Sequence, residues 1–198
     1  MRRRTSALWH SRPKLDCDHL SVRDMDQSAS LLRHFLAALA YRTQKALRGA
    51  PADFAEFCAG PTARTPHELI WHMTGLIGYA RTFFTGGTWQ PERLGSFAEE
   101  VRRFHNTLED FARHLDSGAA PAEASFERLL QGPLADAMTH VGQLAMLRRL
   151  AGSPVPPENF LNADIRPENL GPNQPLPAAP KPGWRPDQPP PSPGRPLS

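Results

Sequence analysis

Long apolar runs are missing from this sequence. None approaches the roughly 18 to 20 consecutive apolar residues that cross a bilayer, and the opening arginines are not followed by the apolar stretch of a secretory or twin-arginine leader. The chain therefore reads as cytoplasmic, with no membrane partner. Cysteine is scarce as well. Cys17 and Cys58 make neither a disulfide framework nor a zinc-finger spacing, and no base beside Cys58 in the sequence would activate it as a thiol. Alternating apolar and polar runs and hairpin turn signals are also absent. That argues against a sheet and leaves helices as the elements that build a core.

Proline, by contrast, is abundant but unevenly placed. Of 22 prolines in 198 residues, seven precede residue 153 and fifteen fall in Ser153–Ser198, so the packed part lies upstream of a Pro-rich, irregular C-terminal tail. Charge divides the chain similarly. Residues 1–24 carry six Lys/Arg against three Asp, while residues 25–152 carry thirteen of each sign and residues 153–198 four of each. The whole excess of +3 thus belongs to the N-terminal extension. Arg2-Arg3-Arg4 is the one feature that would serve a nucleic-acid arm, and the neutrality of the rest argues against nucleic acid as a partner. Met25 directly precedes the first helical pattern, so residues 1–24 read as a disordered extension translated from an upstream start.

Four helices follow from apolar spacing between 25 and 152. The first spans about 27–47, with Leu31, Leu32, Phe35, Leu36, Leu39 and Leu47 at three- and four-residue intervals, and Gly49 and Pro51 stop it. The second opens at Thr65-Pro66-His67-Glu68, a capping box with proline at the first helical position, and runs to about Thr85. The third opens at Ser96-Phe97-Ala98-Glu99, a second capping box, and carries Phe97, Val101, Phe104, Leu108, Phe111 and Leu115 to near Gly118. After a short segment at 122–130, the fourth runs from Pro133 to about Ala151. The pattern predicts an all-α four-helix bundle. Residues 153–174, with Phe160, Leu161, Ile165 and Leu170, are expected to pack back over it, across the mouth of its site, and residues 175–198, anchored at most by Trp184, to be disordered.

At 100° per residue, His72 borders the apolar stripe of the second helix, whereas His67 falls on the wet side. On the fourth helix Asp136, His140 and Gln143 form a polar strip along the edge of the core face. Asp-x-x-x-His places a carboxylate and an imidazole one turn apart, and His72 from a neighbouring helix would complete a set of three ligands with coordination positions left open. Such a set suits zinc, nickel, manganese or iron(II). The same spacing also serves two half-buried helix histidines bonded to backbone or to Asp136. Glu68, one turn before His72, is a further ligand candidate whose capping role already explains it.

The helix order, the place of His72, and the run Asp136-Ala-Met-Thr-His140-Val-Gly-Gln143-Leu-Ala-Met-Leu-Arg-Arg-Leu-Ala-Gly152 resemble the DinB/YfiT-like family of metal-dependent four-helix proteins over about residues 25–152. That family's usual pattern is one histidine on the second helix and a His-x-x-x-His pair on the fourth. His72 and His140 match, and Asp136 stands where a histidine is usual, which alters the charge and hardness of the ligand set. The resemblance implies a metal site at His72, Asp136 and His140. It also implies activity on a small molecule, as a transferase using a low-molecular-weight thiol or as a hydrolase-like enzyme.

Gln143 and Tyr79, the latter two turns beyond His72, are candidate catalytic helpers. Arg148, central on the apolar face of the fourth helix, is a candidate for pairing with a substrate anion. The competing reading is a non-catalytic bundle that forms a homodimer through an exposed apolar helix face, suggested by the Phe-rich third helix and by Asp136 in place of the usual histidine.

Overall fold

In the computed structural model, which describes residues 22–177, the chain forms α1 (Val22–Leu47), α2 (Pro66–Thr85), α3 (Phe97–Asp116), the short α4 (Phe126–Leu129) and α5 (Ala135–Leu150). No strand occurs among the described residues. The expectations for Arg2-Arg3-Arg4, Cys17, Trp184 and the far end of the Pro-rich tail lie outside them. No helix among them is long and apolar enough to cross a membrane.

The second helix starts where its local chemistry dictates. Thr65 Oγ1 accepts from the Glu68 N–H, and Glu68 Oε2 accepts from the Thr65 N–H, with Pro66 at the first helical position. At α3 only half of the expected capping box forms, since Ser96 Oγ accepts from Glu99 N–H and the return bond is not made. The first helix begins at Val22, inside the segment read as an extension, with Asp24 in a first turn where a carboxylate is favoured by the helix dipole.

The entry to the last helix differs more. Instead of opening it, Pro133 lies in a wide turn over Leu130–Leu134 that joins α4 to α5. Gly132 takes a non-helical conformation there, and Pro133 brings no N–H to the ladder, so the chain kinks without stopping. The kink leaves Asp136 in the first turn of α5.

The four long helices pack so that α1 and α2 each touch both α3 and α5. Therefore α1 and α2 are diagonal to one another. Leu36, Leu39, Ile70, Met73, Ile77, Phe104, Leu108, Phe111 and Leu144 are sealed between them, with Phe126 and Leu129 of α4 completing the same core. Phe104 and Phe111 of α3 thus face inward, with Phe97 partly buried against the same core. His67 is also buried, contrary to its wheel position, because the turn at Phe54–Glu56 covers the first turn of α2. Its ring meets Glu56 Oε1 at 3.4 Å and Phe97 edge-on at 5.7 Å.

The segment after α5 does pack on the helices, but not at the place expected. Lys45 Nζ donates to Pro156 O, Gln44 Nε2 to Pro172 O and Tyr41 OH to Glu158 Oε1, and Leu170 is buried. The strap is therefore held on α1 and, through His105 Nδ1–H donating to Leu170 O at 2.7 Å, on α3. Burial lowers the pKa of His105, with the Leu170 bond opposing it in part. Its unfolded form takes up a proton near pH 6.5 while the folded form still resists, so stability is full above that pH and declines as pH falls below it. Urea midpoints at pH 7.5 and 5.5 should show this loss, and His105→Gln should reduce it. An unchanged pH dependence in the variant would contradict the assignment.

The 86–96 connection is fastened onto α2 and α3 at four points. The Trp89 indole lies directly on Gly78, where an added Cβ would collide with its ring, and Trp71 Nε1 donates to Pro91 O. Arg103 donates to Glu92 O, and the fully buried Glu100 carboxylate accepts from Leu94 N–H and Arg103. Gly78→Ala should displace Trp89 and cost about 1–3 kcal/mol, the usual range for overpacking. Chemical denaturation followed by tryptophan fluorescence reads both effects.

Candidate metal centre

Three side chains named from the sequence converge where α2 crosses α5. Asp136 Oδ1 is 3.3 Å from His140 Nε2, and Asp136 Oδ2 is 3.9 Å from His72 Nε2. The two imidazoles meet edge to face with ring centroids 4.8 Å apart. One ligand atom from each of the three lies within 4.8 Å of the others, so the cluster could hold a metal ion. Tetrahedral ligands about 2.1 Å from zinc sit about 3.4 Å apart, so closing on an ion asks for an inward shift of about 1 Å.

The exposure of the three is graded. His140 is buried, His72 is half-buried and Asp136 is exposed, which leaves the outer side of the cluster open to small molecules.

The protonation pattern follows from the neighbours. His140 Nδ1 is 2.8 Å from Gln143 Oε1, and a carboxamide oxygen only accepts, so Nδ1 carries the proton. Nε2 is buried and without a hydrogen-bond partner. It faces the Asp136 carboxylate at 3.3 Å, a separation that a shared cation would bridge. His72 is held below its ordinary pKa chiefly by burial, then by the nearby Arg64 guanidinium and His140, with Asp136 opposing. Its neutral, ligating form therefore persists to lower pH than in a free imidazole.

Other residues named from the sequence are placed elsewhere. Gln143 is in the cluster, but its carbonyl oxygen is used to orient His140. Tyr79, half exposed, packs against Phe83 beside Pro133 and Gly132, and is two turns, about 10 Å, along α2 from His72. Glu68 is taken by the Thr65 cap and lies 3.8 Å from Arg93. Cys58 is exposed and its Sγ lies 3.0 Å from Gly60 O.

Arg148 is no substrate contact. Its guanidinium is buried at the end of α1, and all five N–H groups are spent on Ala46 O, Arg48 O, Gly49 O, Ser153 O and Ser153 Oγ. An arginine central on an apolar face pointed to a buried cation, and helix-end carbonyls rather than a ligand turn out to neutralise it.

Two hollows flank the cluster. One, of about 620 Å³, is lined by His140, Gln143, Thr139, Thr62, Arg64 and Met146. The other, of about 410 Å³, is lined by His72 together with Trp71, Gly75, Leu76, Trp89 and Pro91. Arg64, Trp71 and Trp89 are thus site-flanking residues that helical periodicity did not reveal. Arg64 and Trp89 sit in loops, where spacing carries no facing information, and the one available signal was the adjacency of Trp71 to His72. A scan against protein-family models, a search of curated proteins and a search of solved structures each give no match to this chain.

Proposed function

We propose that this protein is a DinB/YfiT-like four-helix bundle that binds one divalent cation, zinc, nickel, manganese or iron(II), on His72, Asp136 and His140. In this reading it acts on a small molecule as a thiol-dependent transferase or a hydrolase-like enzyme. The observation that carries it is the convergence of His72, Asp136 and His140, with the buried His140 Nε2 lacking a hydrogen-bond partner and facing the Asp136 carboxylate. A cation between them would be bonded by both, and the Nδ1–H···Gln143 contact is the kind of outer support that metal-ligating histidines use.

When bound, such an ion supplies Lewis acidity, polarising a carbonyl and making a nucleophile of water or a thiol at neutral pH. The protein's residues then have distinct tasks. Gln143 is a positioning residue that holds the His140 tautomer. The lowered basicity of His72 keeps it available as a ligand. Arg64 places positive charge at the rim of the larger hollow, where an anionic group of a thiol or substrate would be drawn. The alternative is a non-catalytic bundle that dimerises through an exposed apolar helix face, and Asp136 in place of the usual histidine is the feature that favours it.

Elemental analysis of full-length protein purified without chelator tests the metal reading. About one equivalent is expected in the wild type, since three protein ligands suffice for an open catalytic site, with loss in both His72→Ala and His140→Ala at unchanged helicity. No metal after supplying each of the four ions, or equal metal in the variants, would overturn it.

A further inference from the structure

We infer that the slot between Trp71 and Trp89 is the binding site for a flat, aromatic or conjugated part of the substrate, with that substrate's polar end directed at His72. This rests on the metal reading for the polar end only, because the slot stands on its own geometry. The hollow is lined by the Trp71 and Trp89 side chains together with Leu76, Pro91 and His72. Indole faces favour offset or edge-on contact with another π system.

The slot is also preorganised. Trp71 is pinned by its N–H to Pro91 O at 2.8 Å. Trp89 is seated on Gly78, with the Arg81 guanidinium 4.7 Å from its ring, and the Glu92 carbonyl is held by Arg103. A wall fixed at several points loses little freedom when a ligand enters.

Gly75 supplies the second observation. It lies in the interior of α2, where glycine is poorly suited to a helix, and a Cβ built there would meet nothing within 4 Å. Neither packing nor a positive φ asks for glycine at this position. Yet Gly75 lines the hollow, and a side chain there would take up open space beside the other lining residues. By contrast Gly78, one turn on, is explained by Trp89.

The slot is tested with two hydroxamates on zinc-loaded, full-length protein. Benzohydroxamate and acetohydroxamate share a metal-binding head and differ in the ring. Benzohydroxamate is expected to bind about tenfold more tightly, as burial of one ring face implies. Gly75→Leu should reduce it to the level of acetohydroxamate, leave acetohydroxamate unchanged and keep or raise the melting temperature. Equal affinities in the wild type, or an undiminished preference in Gly75→Leu, would overturn the assignment. Should the protein hold no zinc, the metal reading fails separately, and 2-naphthol on metal-free protein decides the slot. Saturable quenching of tryptophan fluorescence in the wild type and none in Gly75→Leu supports it, whereas no saturable quenching, or equal quenching in both, refutes it.

Discussion

Replacing Arg148 by methionine is expected to destabilise the fold by about 3–5 kcal/mol, the cost of breaking a buried charged network from one side. The guanidinium bonds three carbonyls at the end of α1, from Ala46, Arg48 and Gly49, and also the carbonyl and hydroxyl of Ser153 just beyond α5. These α1 carbonyls belong to the turn and cap where a helix runs out of its own donors, and a cation there also meets the negative end of the helix dipole. The face of Phe54, 5.5 Å away, completes the cage. Methionine matches the length but supplies no donor, so four carbonyls lose their partner together.

Arg148→Lys should recover only part of the loss, because one ammonium with three donors cannot span a fork of five acceptors. Urea denaturation measures both variants, and a loss below about 1 kcal/mol for Arg148→Met, the scale of a solvent-exposed contact, would show that the network is not needed.

At the candidate metal centre the expected ranking separates proposed ligands from support. His140→Ala and His72→Ala remove two of the three candidate ligands and should abolish stoichiometric zinc. Gln143→Ala keeps every ligand and frees the His140 ring, so zinc affinity should fall about 10- to 100-fold, as when other outer-shell partners are removed. Gln143→Glu, which can accept the same Nδ1–H, should restore most of it.

The pH dependence adds an independent readout. Arg64 helps to hold His72 below its usual pKa, so Arg64→Gln should raise that value in the metal-free protein. The His72 Cε1–H proton resonance followed across pH 5 to 8 reads this, while competition with a chromogenic chelator measures the zinc affinities above. A His72 midpoint that moves down or stays fixed in Arg64→Gln would remove Arg64 from the account.

Much of this architecture can be read from the chain because its causes are local. The start of α2 is settled by Thr65, Pro66 and Glu68 within four residues, since a capping box needs no tertiary partner. The inward face of α3 follows from the spacing of Phe104, Leu108, Phe111 and Leu115, and that of α5 from Ala137, Val141 and Leu144. The same periodicity places Asp136, His140 and Gln143 on one strip and His72 at the edge of its stripe.

Local rules failed where a distant segment intervened. His67 is on the polar side of α2 by spacing, yet the turn at Phe54–Glu56 covers that side. Pro133 is a good first residue for a helix, yet Gly132 and a wide turn carried the chain from α4 through it.

Sequence alone determined the all-helical class, the four long helices and the three residues able to share a cation, because side-chain pattern and helix-end chemistry act over a few residues. Tertiary structure alone decided the rest. It brought His72 within 4 Å of the Asp136 carboxylate, spent Arg148 on helix-end carbonyls, laid the strap on α1 and α3 instead of over the site, and gathered Trp89 and Trp71 into one hollow. Those outcomes depend on how helices and loops remote in sequence approach one another, and spacing along a chain holds no record of that distance.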